Sequence, residues 1–163
     1  MKLRALSVTA AAGVSLVLTA GAAGPALAAP TVTAAMVAQE DRVTQLVNAH
    51  RAKVGCPALR TDIRLTRAAR GHSQDMAARA YFSHTTPGGT TPWTRIARQG
   101  YPRVAEAENI AAGQPNAAAV VGAWMRSAGH RANILNCSMR ATGVGLAYGG
   151  PYRYYWTQDF GAR

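Results

Sequence analysis

The chain has 163 residues, 48% of them hydrophobic, and its 18 lysines and arginines against 7 acidic residues give a formal charge of +11. This length suits one domain and leaves little room for two, and the apolar content is too high for a disordered basic tail. The arginines are spread over every predicted element without a run of three, which argues against a nucleic-acid groove, where charge is concentrated.

The first 28 residues have the three-part layout of a secretory signal peptide. Lys2 and Arg4 precede an apolar run over residues 5–20, and small residues stand at the positions that a signal peptidase reads, Ala26 and Ala28. A membrane anchor is the alternative, but the run is interrupted by serine and threonine and is shorter than the roughly twenty residues that a span needs. We expect cleavage after Ala28 and secretion.

Removal of residues 1–28 would leave one domain over residues 29–163, with its charge lowered from +11 to +9 by the loss of Lys2 and Arg4. No later segment is apolar enough for a transmembrane anchor, and we expect a monomer. A basic secreted domain should adhere loosely to anionic wall polymers, with an affinity that falls as salt rises.

The two cysteines, Cys56 and Cys137, are 81 positions apart, which excludes a CxxC metal knuckle. In an oxidising compartment an even pair most simply forms one disulfide. A catalytic thiol is the alternative, but it leaves the other cysteine unexplained. We therefore predict a disulfide between Cys56 and Cys137.

Apolar periodicity predicts two helices at the start of the domain. Val43 and Val47 recur at helical spacing within a first helix over about 36–53. A second helix is expected over 62–80, because the aspartate at its start is a good N-cap. His72 lies on the apolar face of that helix, so we expect it to be buried with a satisfied hydrogen-bond partner.

Shorter elements follow. A threonine–proline pair predicts a helix over 93–99, and residues 106–111 are typical of a brief extended segment. Asn116 can cap a helix that continues to about residue 127, where Gly129 is expected to break it before a further turn over 131–135.

The chain ends in a β-hairpin signature. Residues 143–148 alternate, residues 149–151 form a turn, and residues 152–160 alternate again. Helices first and a hairpin last indicate an α+β layered domain. The tryptophans at 93, 124 and 156 are expected in its core.

Three polar residues stand out as a candidate site. His84 opens a glycine-rich loop, Glu108 lies in the extended segment, and His130 lies at the expected helix break. Two imidazoles and a carboxylate can hold a divalent cation with open positions for water, or they can form a hydrogen-bond network without metal. No motif indicates nucleophilic catalysis, since the chain has no Gly-x-Ser-x-Gly elbow.

The order of several short blocks resembles the bacterial branch of the CAP superfamily, the cysteine-rich secretory, antigen 5 and pathogenesis-related 1 proteins, also called SCP-like extracellular proteins. The resemblance covers nearly all of the chain after residue 29. The blocks that carry it are Asn48-Ala49-His50-Arg51, Leu65 to Met76, Tyr81-Phe82-Ser83-His84, Glu108-Asn109-Ile110-Ala111, Trp124 to Leu135 and Tyr155 to Gly161.

This resemblance implies a three-layer α–β–α sandwich with a small antiparallel sheet, and a shallow cleft containing His84, His130 and Glu108. In some relatives such a cluster binds zinc or another divalent ion. Two departures stand out: Ala107 precedes Glu108 where the family usually has glycine, and Ser127 lies in the stretch where many eukaryotic members carry a second glutamate. A hydroxyl is a weak metal ligand and no general base.

Two functions follow from the resemblance. The first is non-catalytic binding of a lipid, an envelope component or a partner through a cleft formed by His84, Glu108, His130 and Ser127. The alternative is a divalent-metal-dependent hydrolase of peptides or envelope polymers, in which His84 and His130 bind the metal and Glu108 activates water. The missing second acid favours binding over catalysis, so whether the protein is an enzyme is left open.

Overall fold

The computed structural model describes residues 31–102 and 107–162. These residues form five helices and four strands. The helices are α1 (Ala34–Ala52), α2 (Ile63–Ala78), α3 (Pro92–Arg98), α4 (Ala117–Arg126) and α5 (Ala128–Ile134), and the strands are β1 (Arg60–Thr61), β2 (Ala107–Ala112), β3 (Ala141–Gly149) and β4 (Arg153–Gly161). The expected signal peptide lies outside the described residues.

The predicted helix starts are confirmed by their caps. The side chains of Asp62, Thr91 and Asn116 each accept a hydrogen bond from a backbone N–H in the first turn of α2, α3 and α4. Such caps satisfy donors that have no partner within the helix. Among the described helices none is both long and apolar enough to cross a membrane.

The four strands form one sheet in the order β1-β3-β4-β2. The predicted hairpin is confirmed: β3 and β4 pair antiparallel from Ala141 opposite Gly161 to Gly149 opposite Arg153. β2 adds antiparallel to β4 and forms one edge. No sequence pattern predicts β1, a two-residue strand that pairs parallel with β3, so the expected antiparallel sheet is a mixed one.

Helices cover both faces of this sheet, which confirms the three-layer α–β–α arrangement. Val144 and Leu146 on β3 pack with Trp156 on β4 against the α1 and α4 side. Ala147 and Tyr155 face the other way and pack against α2. The alternation of a β-strand therefore divides the core between two helical layers.

Two glycines let α2 lie directly on β3. A Cβ built on Gly143 would be 2.1 Å from the backbone nitrogen of Thr66, and one on Gly145 would be 2.3 Å from that of Arg70. No side chain fits in these gaps. The position of α2 over the sheet, and with it the position of the loop that follows α2, is fixed by this backbone contact.

A buried arginine ties α1 to the segment that follows it and to the segment at the end of α5. The Arg51 guanidinium, which is fully buried, donates to the carbonyl oxygens of Pro57, Ile134, Asn136 and Met139 at 2.7–3.0 Å. Burial, and secondly the nearby positive charge of Arg140, lower its pKa, but a guanidinium remains protonated in proteins.

The predicted disulfide is confirmed, and it joins the two segments that Arg51 holds. Cys56 and Cys137 are bonded, with their Cα atoms 4.9 Å apart. Asn48, one turn before Arg51, adds a reciprocal pair of hydrogen bonds with the backbone of Leu59 at 2.8 and 3.0 Å. The Asn-x-x-Arg block therefore acts as a structural clamp.

Candidate functional site

The loop after α2 presents His84 and is held from two sides. Buried His72 lies 2.9 Å from the carbonyl oxygen of Ser83, to which its Nε2–H donates. Arg95, on α3, donates to the carbonyl oxygens of His84 and Thr90 at 2.9 and 3.1 Å. These hydrogen bonds fix the backbone at His84 independently of the contacts of its side chain.

The carboxylate of Glu108 lies next to this loop and has two partners. Its Oε1 is 2.7 Å from Nδ1 of His84, and its Oε2 accepts from Arg95 Nη2 at 2.6 Å. The Glu108 side chain is 2% exposed and that of His84 is 49% exposed. A carboxylate acceptor requires hydrogen on Nδ1, so Nε2 of His84 is the imidazole atom left for a ligand.

Arg95 is the residue of this cluster that no sequence pattern reveals. By sequence it is one of many scattered surface arginines, yet its side chain is only 11% exposed and forms an ion pair with Glu108. The ion pair offsets the carboxylate's charge, and a buried carboxylate needs such a partner.

The second histidine, His130, reaches the same edge of the sheet from the opposite helical layer. Asn109 follows Glu108 on β2, so its side chain projects to the other face, where its Nδ2 donates to the carbonyl oxygen of His130 at 3.2 Å. Asn133 of α5 donates to Oδ1 of Asn109 at 2.9 Å. Edge strand β2 thus contacts the side chain of His84 and the backbone of His130.

The prediction that Gly129 breaks the helix is wrong. The break is at Ser127, whose extended backbone (φ −89°, ψ 122°) ends α4 and starts α5. Gly129 and His130 both lie inside α5, because a glycine near the start of a helix lowers its stability without preventing it.

His130 is partly buried, and its pKa is lowered from the ordinary value, first by burial and then by the nearby charge of His84. Two conclusions follow. The imidazole of His130 is neutral at neutral pH, and it is close enough to His84 for their charges to repel. We call the group of His84, Arg95, Glu108 and His130 the histidine cleft, after the cleft that the family resemblance implies.

Ser127 lies three residues before His130, at the junction of α4 and α5, and is partly exposed. Its side chain makes no capping hydrogen bond to α5. Ala107, the other departure from the family pattern, lies in β2 opposite Phe160. It is part of a regular strand, a conformation that alanine adopts freely.

The cleft fits a divalent cation poorly. Within residues 31–102 and 107–162 there is no group of three or more His, Cys, Asp or Glu side chains arranged to hold a metal ion. Both oxygens of Glu108 already accept hydrogen bonds, and the guanidinium of Arg95 brings a positive charge to the same carboxylate. Within the cleft, only the two imidazoles offer nitrogen ligands.

The expectation for His72 is confirmed. It is 1% exposed, and its pKa is lowered to about 4, chiefly by burial and also by the charge of Arg95, against an opposing effect of Glu108. Tyr81 lies beside it and donates to Asp75 at 2.5 Å. Burial, followed by this bond to Asp75, raises the pKa of Tyr81 to about 12.

The three tryptophans differ in burial. Trp124 and Trp156 are buried as expected, but Trp93 is 40% exposed, so the prediction that it lies in the core is wrong. Helix α3 has only seven residues, and its buried positions are Pro92 and Ile96. Trp93 therefore falls on the solvent side of that helix.

Comparison with known proteins identifies the family. The family model described as "CAP: Cysteine-rich secretory protein family" matches residues 44–160. The chain belongs to the CAP family. Apart from Gly161, the blocks recognised in the sequence lie in this match. The CAP blocks around Tyr81–His84, Glu108–Ala111 and Trp124–Leu135 supply all of the histidine cleft except Arg95.

Two bacterial proteins resemble this CAP chain over most of its length. The chain is 42% identical over 123 residues to the uncharacterized protein YkwD of Bacillus subtilis, a match that covers 76% of this chain and 47% of YkwD. An extracellular protein containing an SCP domain, from Bacillus anthracis, is 30% identical with a TM-score of 0.70, over 83% of this chain and 45% of that one. The chain thus spans about half the length of either protein.

A more distant structure, NaASP2 crystallised with Zn²⁺, has a TM-score of 0.55 at 11% identity, over 76% of this chain and 79% of that one. At this identity the likeness concerns the fold alone.

Proposed function

We propose that this CAP domain is a non-catalytic binding protein that works outside the cell and holds a lipid or another envelope component at the histidine cleft. The observation that carries the proposal is the state of Glu108, whose two carboxylate oxygens are bonded to His84 and Arg95 at 2.7 and 2.6 Å. A carboxylate engaged in this way orients an imidazole and is not available to activate water.

The charge balance of the cleft suits a polar, uncharged ligand group. Arg95 offsets the charge of Glu108, and the lowered pKa of His130, due first to burial, keeps this imidazole neutral. A neutral imidazole offers one donor and one acceptor, and His84 adds its outward Nε2. Hydroxyl, amide or ester groups of an envelope component are complementary to such a surface.

The alternative is a divalent-metal-dependent hydrolase of peptides or envelope polymers. The Zn²⁺ in the NaASP2 structure gives reason to test it, although that likeness establishes only the fold. The side chains of the cleft give the hydrolase little support. Both carboxylate oxygens of Glu108 are already bonded to His84 and Arg95, and Ser127 lies where many family members carry a second acid. We therefore place it second.

Mass spectrometry of envelope lipids and polymers that co-purify with the exported protein tests the binding proposal. We expect bound material on the wild type and loss of it in the His84→Ala/His130→Ala double variant. His50→Ala, the same change at a histidine on α1 outside the cleft, is the matched control. Absence of co-purifying material, together with no thermal shift when envelope lipids are added, would contradict the proposal.

Elemental analysis separates the two functions. Protein purified without a histidine tag should carry only trace metal, in the wild type and the double variant alike. Near-stoichiometric zinc in the wild type that disappears in the double variant would instead favour the hydrolase.

Export itself is part of the proposal. We expect the mature chain to begin at Ala29, and N-terminal sequencing of protein recovered from the culture medium measures this directly. An uncleaved N-terminus in the exported protein would contradict it.

A further inference from the structure

A concave surface that shares no residue with the histidine cleft lies at the tip of the β3–β4 hairpin. It is a groove of about 430 Å³ lined by Pro115, Tyr148, Gly149, Arg153 and Tyr154. This volume is within the range of small-molecule sites. None of the lining residues belongs to the histidine cleft, so a ligand in this groove would bind separately from one at the cleft.

Tyrosine rings form one wall of the groove. Tyr148 is 50% exposed, and its ring packs edge-to-face against Tyr154 with 5.5 Å between centroids. That packing holds the exposed ring in place, and Gly149 adds no side chain to cover it. A tyrosine offers a flat apolar face with a polar hydroxyl tip, and a sugar ring is divided in the same way, with C–H groups on its face and hydroxyls around its rim.

Arg153 supplies a positive charge to the groove and holds it on an unusual backbone. Its φ is 66°, and the N–H of Tyr154 donates to the carbonyl oxygen of Tyr152 at 2.8 Å, which closes a three-residue turn around Arg153. Turns of this kind with positive φ are rare and strained. Glycine would adopt this conformation at less cost, and strain kept at a non-glycine residue points to a role for its side chain.

The hairpin has little acidic charge to compete for that guanidinium. Asp159 is the only acidic residue between positions 141 and 161, and it is 1% exposed. An arginine side chain matches carboxylate and phosphate groups in shape and charge. The groove therefore combines a stacking face for a ring with a cation for an anion.

We infer that this groove binds an acidic glycan, with a sugar ring stacked on Tyr148 and a carboxylate or phosphate of the glycan paired with Arg153. This site stands independently of the ligand proposed for the histidine cleft, because the two share no residue. Binding involves no covalent step.

Three soluble polymers test the two halves of this recognition at one fixed salt concentration. Polygalacturonate carries sugar rings and carboxylates, dextran carries sugar rings without charge, and polyglutamate carries carboxylates without sugar rings. We expect the wild type to bind polygalacturonate at least about tenfold more tightly than either of the others. Equal affinity for polygalacturonate and polyglutamate would overturn the inference, since general electrostatic attraction would then explain all binding.

Variants locate the binding to the groove. Arg153→Gly and Tyr148→Ala should each weaken polygalacturonate binding about tenfold, while Arg67→Gln, which removes one exposed positive charge from α2, should change it less than about twofold. Either groove variant behaving like the Arg67→Gln control would refute the site.

The Tm of Arg153→Gly is the companion measurement. Because glycine relieves the positive φ, we expect a Tm equal to or above that of the wild type, together with the loss of binding. If Arg153 serves binding, its replacement by glycine should reduce binding while the Tm stays equal or rises. If Arg153 serves only the structure, binding and Tm should fall together. Arg153→Asn, which also tolerates positive φ, provides a second variant with the charge removed.

Discussion

Acidification should destabilise this domain in large part through one buried side chain, His72. The pKa of His72 is lowered to about 4 in the folded chain, mainly because burial disfavours its charged form, whereas an unfolded histidine titrates near 6.5. Between these values the unfolded chain binds more protons, so stability rises with pH. The contribution is fully present above pH 6.5 and is lost as the pH falls through 4.

The size of the effect follows from the two pKa values. A difference of about two and a half pH units corresponds to about 3 kcal/mol if the titration is complete. Between pH 7 and pH 4.5 the linkage relation gives a loss of about 2 kcal/mol. Small domains are stable by only about 5–15 kcal/mol, so this loss should be easy to detect.

The loss of stability can be measured by urea unfolding at pH 4.5, 5.5 and 7. The fluorescence of buried Trp124 and Trp156 follows the unfolding. In His72→Gln the side-chain amide keeps a donor for the carbonyl oxygen of Ser83 but cannot titrate. We expect the free energy of unfolding of this variant to fall by about 2 kcal/mol less than that of the wild type over the same interval.

His130 needs its own control, because its pKa is lowered as well, by burial first and by His84 second. His130→Gln should remove a smaller part of the pH dependence, since His130 is less buried than His72. Carboxylates distant from both histidines contribute equally to all three proteins. If His72→Gln and the wild type lose the same free energy between pH 7 and 4.5, His72 is not a buried histidine held neutral by the fold.

Three further outcomes follow from the structure. Reduction of the disulfide should lower the free energy of unfolding by about 4 kcal/mol, because it closes a long loop; an unchanged urea midpoint with reductant would contradict this. Gly145→Ala should destabilise by about 3 kcal/mol or prevent folding, since its Cβ would lie 2.3 Å from the backbone of α2 at Arg70, whereas a wild-type Tm would show that the helix can move away. Glu108→Gln should cost about 3 kcal/mol by leaving Arg95 buried without its counter-charge, and differential scanning calorimetry that finds no loss would mean the ion pair is not needed.

The sequence predicts the elements well where local chemistry determines them. Asp62, Thr91 and Asn116 each cap a helix, because the backbone donors that they satisfy are two or three residues away. The predicted helix break is misplaced for the opposite reason. Gly129 weakens a helix locally, but Asn109 and Asn133 hold α5 onto β2, and contacts between distant elements outweigh one glycine.

The candidate site is predictable only in part, for the same reason. His84, Glu108 and His130 lie in recognisable family blocks, whereas Arg95 precedes its partner by 13 residues and looks like any arginine on a short helix. Its role depends on the contact between Arg95 of α3 and Glu108 of β2, which no local pattern encodes. Trp93 is misassigned because a seven-residue helix gives too little periodicity to tell its buried side from its exposed side.

The four carbonyl oxygens that accept hydrogen bonds from Arg51 have a consequence for disulfide formation. Its guanidinium joins Pro57 to the segment around residues 134–139, and Cys56 and Cys137 belong to these same two segments. These hydrogen bonds need no oxidant, so a reduced chain can bring its two thiols together before they are oxidised. Of the two links between these segments, only the disulfide depends on the redox state of the compartment in which the chain folds.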